Sequence, residues 1–220
     1  MHFTRNREIV DFAVSLPKEM KYAENKYMRT GIYKQSIEEA YLTKDGFNGD
    51  GVADLRHHGG PDRAVCVYPY EHYTFWEKEF GYPLSKAHFG ENLTVSNMLE
   101  KDTYFGDVYR LGEAFIQVTQ SRIPCNTITK RTKNPLLLKR MIETGYTGYL
   151  CRVLEEGIVC SDSKITLEER HPQQVSVLFG NEVYFRGHKN VEGMNKILSV
   201  EALADEWKEL LNERLHKLKI

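Results

Sequence analysis

The chain is poor in cysteine: four in 220 residues, at positions 66, 125, 151 and 160. They stand far apart, and no Cys-x-x-Cys occurs, so neither a zinc ribbon nor a thioredoxin-type redox pair is supported. Long apolar runs are missing as well. No stretch approaches the roughly 20 residues of a membrane-spanning helix. The opening Met1-His2-Phe3-Thr4-Arg5-Asn6-Arg7-Glu8 places charge where an export signal needs an apolar core. A cytoplasmic protein with no membrane partner is expected, and disulfide pairing is disfavoured in that compartment. Charge of one sign is lacking too. Thirty basic side chains meet 31 acidic ones, for a net charge of -1. No global field therefore draws the chain to a nucleic acid polymer. Internal repeats and low-complexity linkers are absent.

What is present is ordinary globular material, 41% hydrophobic and 28% charged, enough for one core or one core with a small appendage. Two textures follow one another. Up to about residue 170, short β-forming runs alternate with Gly-, Asn- and Asp-rich turns such as Lys44-Asp45-Gly46-Phe47-Asn48-Gly49-Asp50-Gly51. Strands are predicted at residues 9–14, 30–33, 63–68, 92–95, 108–111, 114–119, 149–154 and 165–167, with helices over 70–80 and 134–144. Many short strands of this kind suggest a closed or nearly closed β-barrel with helices outside it. After His171-Pro172 the periodicity becomes helical, over 175–184, 191–198 and 200–215, with Ser199 as the expected N-cap of the last. The predicted organisation is a mainly β domain over 1–170 and a small three-helix domain over 171–220.

Several segments carry chemistry. Arg56-His57-His58-Gly59-Gly60-Pro61-Asp62-Arg63 combines exposed backbone amides with cationic donors, a combination that suits an oxyanion. A tight turn with locally bonded histidines explains it equally well, and zinc ligation lacks a partner at good spacing. Phe89-Gly90-Glu91-Asn92 offers a special backbone angle and two side chains able to meet a heterocycle's edge or to cap a turn. In Gln120-Ser121-Arg122-Ile123-Pro124-Cys125-Asn126 a strand ends, Pro124 restricts the loop, and Arg122 stands near a thiol that is a nucleophile or a soft-metal ligand once ionised. Cys66, Cys151 and Cys160 lie in apolar strand patterns and read as packing residues. Thr144-Gly145-Tyr146-Thr147-Gly148-Tyr149 reads as a ligand wall or a helix-to-strand turn.

Taken in order, these segments resemble the MOSC family, named for the C-terminal domain of molybdenum cofactor sulfurase, and within it the bacterial YiiM-like subgroup. The stretches that carry the resemblance are Gly31-Ile32-Tyr33-Lys34, Gly49-Asp50-Gly51-Val52-Ala53-Asp54, His57-His58-Gly59-Gly60-Pro61-Asp62-Arg63-Ala64-Val65, Phe89-Gly90-Glu91-Asn92-Leu93, Arg122-Ile123-Pro124-Cys125 and Gly145-Tyr146-Thr147-Gly148. An ordered series is far more specific than any single motif. The resemblance spans roughly residues 9–168, and the helical tail is similar to that subgroup's C-terminal helical domain. It implies a MOSC-type β-barrel with peripheral helices that binds the molybdenum cofactor, molybdopterin with its metal. It also implies that Cys125 is the thiolate ligand to molybdenum and the catalytic residue. Lys34, Arg56, His57, His58, Gly59, Gly60, Arg63, Gly90, Glu91, Asn92, Arg122 and Asn126 would bind the cofactor.

The activity implied is reduction of N-hydroxylated compounds, including hydroxylated nucleobases, to amines. No flavin, haem or iron–sulfur motif is recognisable, so an external electron donor, a flavoprotein, is expected. Two departures stand out: Gln120-Ser121-Arg122 replaces the subgroup's Gln-Pro-Arg, and Gln35-Ser36-Ile37 follows Lys34 where relatives carry Pro-Val and a glycine. Competing readings are a sulfur carrier using a Cys125 persulfide, a non-catalytic cofactor-binding module and, more distantly, a zinc hydrolase. The sequence leaves monomer or homodimer open.

Overall fold

The computed structural model describes residues 6–54 and 59–218. In chain order the first strands are β1 (Glu8–Val14), β2 (Lys18–Ala23), β3 (Lys26–Thr30), β4 (Gln35–Ser36), β5 (Glu39–Thr43), β6 (Gly46–Phe47) and β7 (Val65–Pro69). Helix α1 (Glu71–Phe80) leads to β8 (Leu93–Ser96), β9 (Val108–Leu111) and β10 (Ala114–Ser121). Helices α2 (Asn126–Thr132) and α3 (Leu137–Thr144) precede β11 (Tyr149–Glu155), β12 (Gly157–Cys160) and β13 (Ile165–Glu169). Helices α4 (Val177–Phe185), α5 (Val191–Leu198) and α6 (Asp205–Leu218) follow.

Eight strands form a curled half-barrel sheet in the order β13-β9-β10-β11-β7-β8-β1-β4. Its neighbours are antiparallel except β7 and β8, which α1 connects as a parallel crossover. A bridge between Arg7 and Ile165 ties the start of β1 to β13 across the opening. The alternation of inward apolar residues explains the curl's filling: Phe12, Val65, Val67, Leu93, Val95, Leu111, Ile116 and Val118 are all buried in one cluster. A second cluster lies under α1, where Tyr73 and Trp76 fall on one helix face against Tyr68, Phe89 and Met141. Each such side chain, fully buried, contributes about 1.5–3 kcal/mol. Trp76 also donates its indole N–H to Tyr68 Oη at 2.8 Å, so no polar atom is sacrificed there.

The C-terminal helices belong to the first cluster through Met194, Ile197, Val200, Leu203, Trp207 and Leu211. Ser176 caps α4 by accepting from Phe179 N, and Asn190 caps α5 by accepting from Gly193 N. The expected helix over 200–215 starts later than its periodicity suggested. Ser199 ends α5 rather than opening the last helix, and α6 begins at Asp205. Between them Val200, Leu203 and Ala204 are buried in turns, and the Ala204 N–H donates to Thr119 O of β10 at 3.0 Å. The expected strand over 30–33 is displaced too. It lies earlier, as the β2–β3 hairpin, and ends at Thr30. Among the described residues no helix is long and apolar enough to cross a membrane.

Candidate functional site

Three adjacent strands build the floor of a cavity. Cys66 on β7 pairs in register with Leu150 on β11, and Leu150 pairs with Gln120 on β10. All three side chains line a cavity of about 800 Å³, at the upper end for small-molecule sites. The β10–β11 register shifts between Val118 and Gln120, leaving Thr119 as an extra residue. A bulge re-aims the strand beyond it. Thr119 Oγ1 secures this one: its single O–H lies between two carbonyl acceptors, Asp62 O at 2.6 Å and Leu150 O at 2.9 Å.

Past the bulge the chain leaves the sheet through Arg122, Ile123, Pro124 and Cys125, which all line the cavity. Arg122 N–H donates to Gly148 O at 3.1 Å, and Pro124 is buried, so the segment is held at both its start and its middle. Cys125 is half-buried and stands at the N-cap of α2 in extended conformation, its carbonyl accepting from Ile128 N at 3.1 Å. Asn126 opens α2 on the outside: it is exposed and does not line the cavity.

The cavity's cations differ in how they are balanced. Lys34 is buried and ion-paired to Asp50, whose carboxylate also accepts from Ser15 N at 2.8 Å and from Asn92 Nδ2 at 2.8 Å. Asn92 in turn accepts from Cys66 N at 3.0 Å, so one amide joins the loop at Asp50 to the floor strand. At the mouth, Arg63 Nε donates to Gly59 O at 2.8 Å and Nη1 pairs with Glu206 of α6 at 2.7 Å. Gly60 and Gly90 complete this side, and Gly90 needs its identity: φ is +79°, and an added Cβ would meet Ile32 Cγ1 at 2.7 Å.

Arg122 is different. Nη2 donates to Phe89 O at 2.6 Å, while Nη1 is buried with no hydrogen-bond partner among the described residues. Burial by itself would lower its pKa, but the ionisable neighbours Cys66, Cys125, Glu91 and Tyr68 outweigh burial and hold it above the ordinary value. Conversely, burial pushes the Cys66 thiol up and Arg122 opposes that rise.

Of the expected site residues, Lys34, Gly59, Gly60, Arg63, Gly90, Asn92, Arg122 and Cys125 converge on this cavity. Arg56, His57 and His58 lie outside the described residues. Glu91 stands behind the wall. It is fully buried and its carboxylate accepts from Tyr73 Oη, from Phe89 N at 3.0 Å and from Thr94 Oγ1 at 2.9 Å. Its geometry supports Arg122 electrostatically rather than facing a ligand. Cys66 is the reverse case, a residue expected to be packing that faces the cavity. Asp50, Gln120 and Glu206 are further lining residues that sequence reasoning did not single out. The spacing Gln120-x-Arg122 was the available signal for Gln120.

The wall behind Arg122 is acid-sensitive. His88 Nε2 is buried without a partner among the described residues, and burial, reinforced by Arg131, pushes its pKa down to about 4 from 6.5. The unfolded chain therefore binds more protons than the native one between those values, and stability falls as pH drops from 6.5 towards 4. Substitution of His88 by Gln is expected to flatten the melting temperature across that window. Equal acid sensitivity in the two proteins would contradict this origin.

Two buried polar atoms with no partner among the described residues, Arg122 Nη1 and Gln120 Oε1, thus belong to residues that line a roomy cavity beside two thiols. This donor set fits a pterin-type cofactor with an anionic group: Arg122 for the anion, Cys125 as a single soft ligand for its metal. Among the described residues no three His, Cys, Asp or Glu side chains converge as a metal site.

Residues 54–166 match the family model described as MOSC domain, and residues 175–218 match the YiiM-like, 3-alpha helix domain. The Bacillus subtilis (strain 168) protein YflK is 42% identical over 201 residues, covering 91% of this chain and 90% of the relative. The crystal structure of YiiM from Geobacillus stearothermophilus superposes with a TM-score of 0.81 at 32% identity, over 95% of this chain and 99% of that one. A Gibberella moniliformis (strain M3125 / FGSC 7600) protein named "Reductase" is 37% identical over 155 residues. That match covers 68% of this chain and 27% of the relative.

Proposed function

We propose, for a chain that belongs to the MOSC domain family and its YiiM-like branch, that the cavity binds the molybdenum cofactor and that the protein reduces N-hydroxylated compounds to amines. The observation that carries this reading is the buried Nη1 of Arg122, without a partner among the described residues, on a residue that lines the same cavity as Cys125. A buried guanidinium N–H without a partner costs stability, which a bound anion repays. The reductase name borne by one relative supports the same reaction class.

Conversion of N–OH to N–H consumes two electrons and two protons and releases water. The cofactor, when bound, supplies two-electron oxygen-atom-transfer chemistry at molybdenum. The chain's residues do the rest. Cys125 would be the metal's protein ligand, a soft thiolate set by Pro124 and the start of α2. Arg122, Arg63 and Lys34 would meet the cofactor's negative groups, Arg122 directly and the other two through charges now balanced by Glu206 and Asp50. Leu150, Ile123 and Pro124 provide apolar lining to the cavity. Electrons would come from an external cytosolic flavoprotein.

The reading is tested by supplying cofactor-loaded protein with an N-hydroxylated nucleobase and a chemically reduced flavoprotein, and measuring amine. Amine formation is expected, with none from NADPH in the absence of a partner. No amine from loaded protein under any reductant would overturn the activity. Two thiols on one cavity favour one other reading, a sulfur carrier with a Cys125 persulfide. Cyanide-releasable sulfur in protein without pterin would support it.

A further inference from the structure

We infer that Gln120 reads a ligand, and that with Arg122 it forms an acceptor–donor subsite for a molecular edge carrying an N–H beside an electron-rich atom. Gln120 is 2% exposed, lines the cavity, and its Oε1 has no hydrogen-bond partner among the described residues. Arg122, two positions on, lines the same cavity with Nη1 equally unpartnered.

The neighbouring polar groups are not in this state. Lys34 is held by Asp50, Asp50 by Ser15 and Asn92, and Asn92 by Cys66. A fold that satisfies those groups and leaves an adjacent acceptor and donor bare is carrying a cost that leucine or methionine at position 120 would remove. Such costs accumulate where a site is prepared for something else.

The polarity of the two atoms sets the ligand chemistry. Oε1 accepts, so the ligand must offer N–H or O–H there. Arg122 donates with positive charge, so the adjacent ligand atom must be an oxygen, sulfur or nitrogen rich in electron density. A ligand offering acceptors alone would leave Oε1 bare. Heterocyclic amides and N-hydroxyamidines satisfy both demands. Two sources fit: the pterin ring of the cofactor and the N-hydroxylated substrate. The choice between these sources rests on the proposed function; that Gln120 faces a ligand does not.

Full-length wild type, Gln120→Leu and Gln120→Glu separate these points. Each is prepared without cofactor and, from a host that makes it, loaded. Without cofactor, Gln120→Leu is expected to melt at or above the wild-type temperature. A drop of several degrees would make Gln120 a structural residue and overturn the inference. In loaded protein, Gln120→Leu is expected to lower pterin retained through dialysis, or to raise KM for N-hydroxycytosine, roughly tenfold, as loss of one buried hydrogen bond does. Gln120→Glu, which keeps an acceptor, should restore whichever quantity moved. Lost pterin assigns the subsite to the cofactor; a raised KM with full pterin assigns it to substrate. Leucine without effect on either, or glutamate no better than leucine, would refute it. Should loaded wild type contain no pterin and turn nothing over, the proposed function falls, while the melting comparison still judges Gln120.

Discussion

Serine in place of Cys125 is expected to cut reduction of N-hydroxylated substrate by more than about a hundredfold, the loss already seen when mere outer partners of a metal ligand are removed. The fold should not suffer. Cys125 stands at the N-cap of α2, but its side chain makes no capping hydrogen bond, and the cap rests on its backbone carbonyl. Serine is among the better N-cap residues, so the helix start is kept or strengthened. What would change is the proposed ligand: a polarisable sulfur becomes a hydroxyl that remains protonated near neutral pH. A melting temperature at or slightly above wild type, together with collapsed turnover, is the expected signature. Turnover within a fewfold of wild type would remove Cys125 from the reaction.

Truncation of Trp207 to alanine is expected to cost about 3–5 kcal/mol and to lower the melting temperature by roughly 8–15 °C. Trp207 is fully buried, stacked on Tyr184 at 5.1 Å and tilted against Phe105 at 5.6 Å. Phe105 belongs to the sheet's own cluster, so this indole joins the helical unit to the half-barrel. The loss reaches the cavity as well, because α6 starts beside it: Asp205 N–H donates to Asp62 Oδ2 at 3.4 Å and Glu206 holds Arg63. Phenylalanine should cost much less than alanine. It fills most of the volume and removes an indole N–H that is buried without a partner among the described residues. A Trp207→Ala protein melting within about 2 °C of wild type would mean that the helices and sheet do not share one core.

The parts of this fold that were legible in the sequence are those where one physical signal acts alone. Strand β9 and helix α5 lie at the residues their patterns indicated, since β9 is a β-forming run with three of its four residues buried and α5 has a buried face and a polar one. Residues 200–204 misled because a buried turn repeats apolar residues much as a helix does: Val200 and Leu203 pack inward, yet the backbone there is not helical. The β2–β3 hairpin was missed for the opposite reason. Lys18–Thr30 carries little apolar alternation, as most of its residues are exposed. Helix α2 is rich in threonine, a weak helix former, so its local composition argues against the element it forms.

At the site, the ordered motifs pointed to Arg122 and Cys125, and the cavity contains them. Side-chain direction was beyond the sequence. Glu91 and Asn92 are neighbours, yet one is consumed behind the wall and the other lines it. Cys66 reads as a core-strand residue because its flanks Val65 and Val67 are buried, while it points the other way into the cavity. Gln120 was marked only by its spacing to Arg122, since an unsatisfied acceptor exists only in three dimensions.

The most direct measurement is molybdenum and pterin content of the protein purified from a host that makes the cofactor, beside its Cys125→Ser variant. Near-stoichiometric molybdenum and pterin in the wild type, with the metal depleted in the variant, is the expected result. A folded wild type carrying neither, from a competent host, would contradict it.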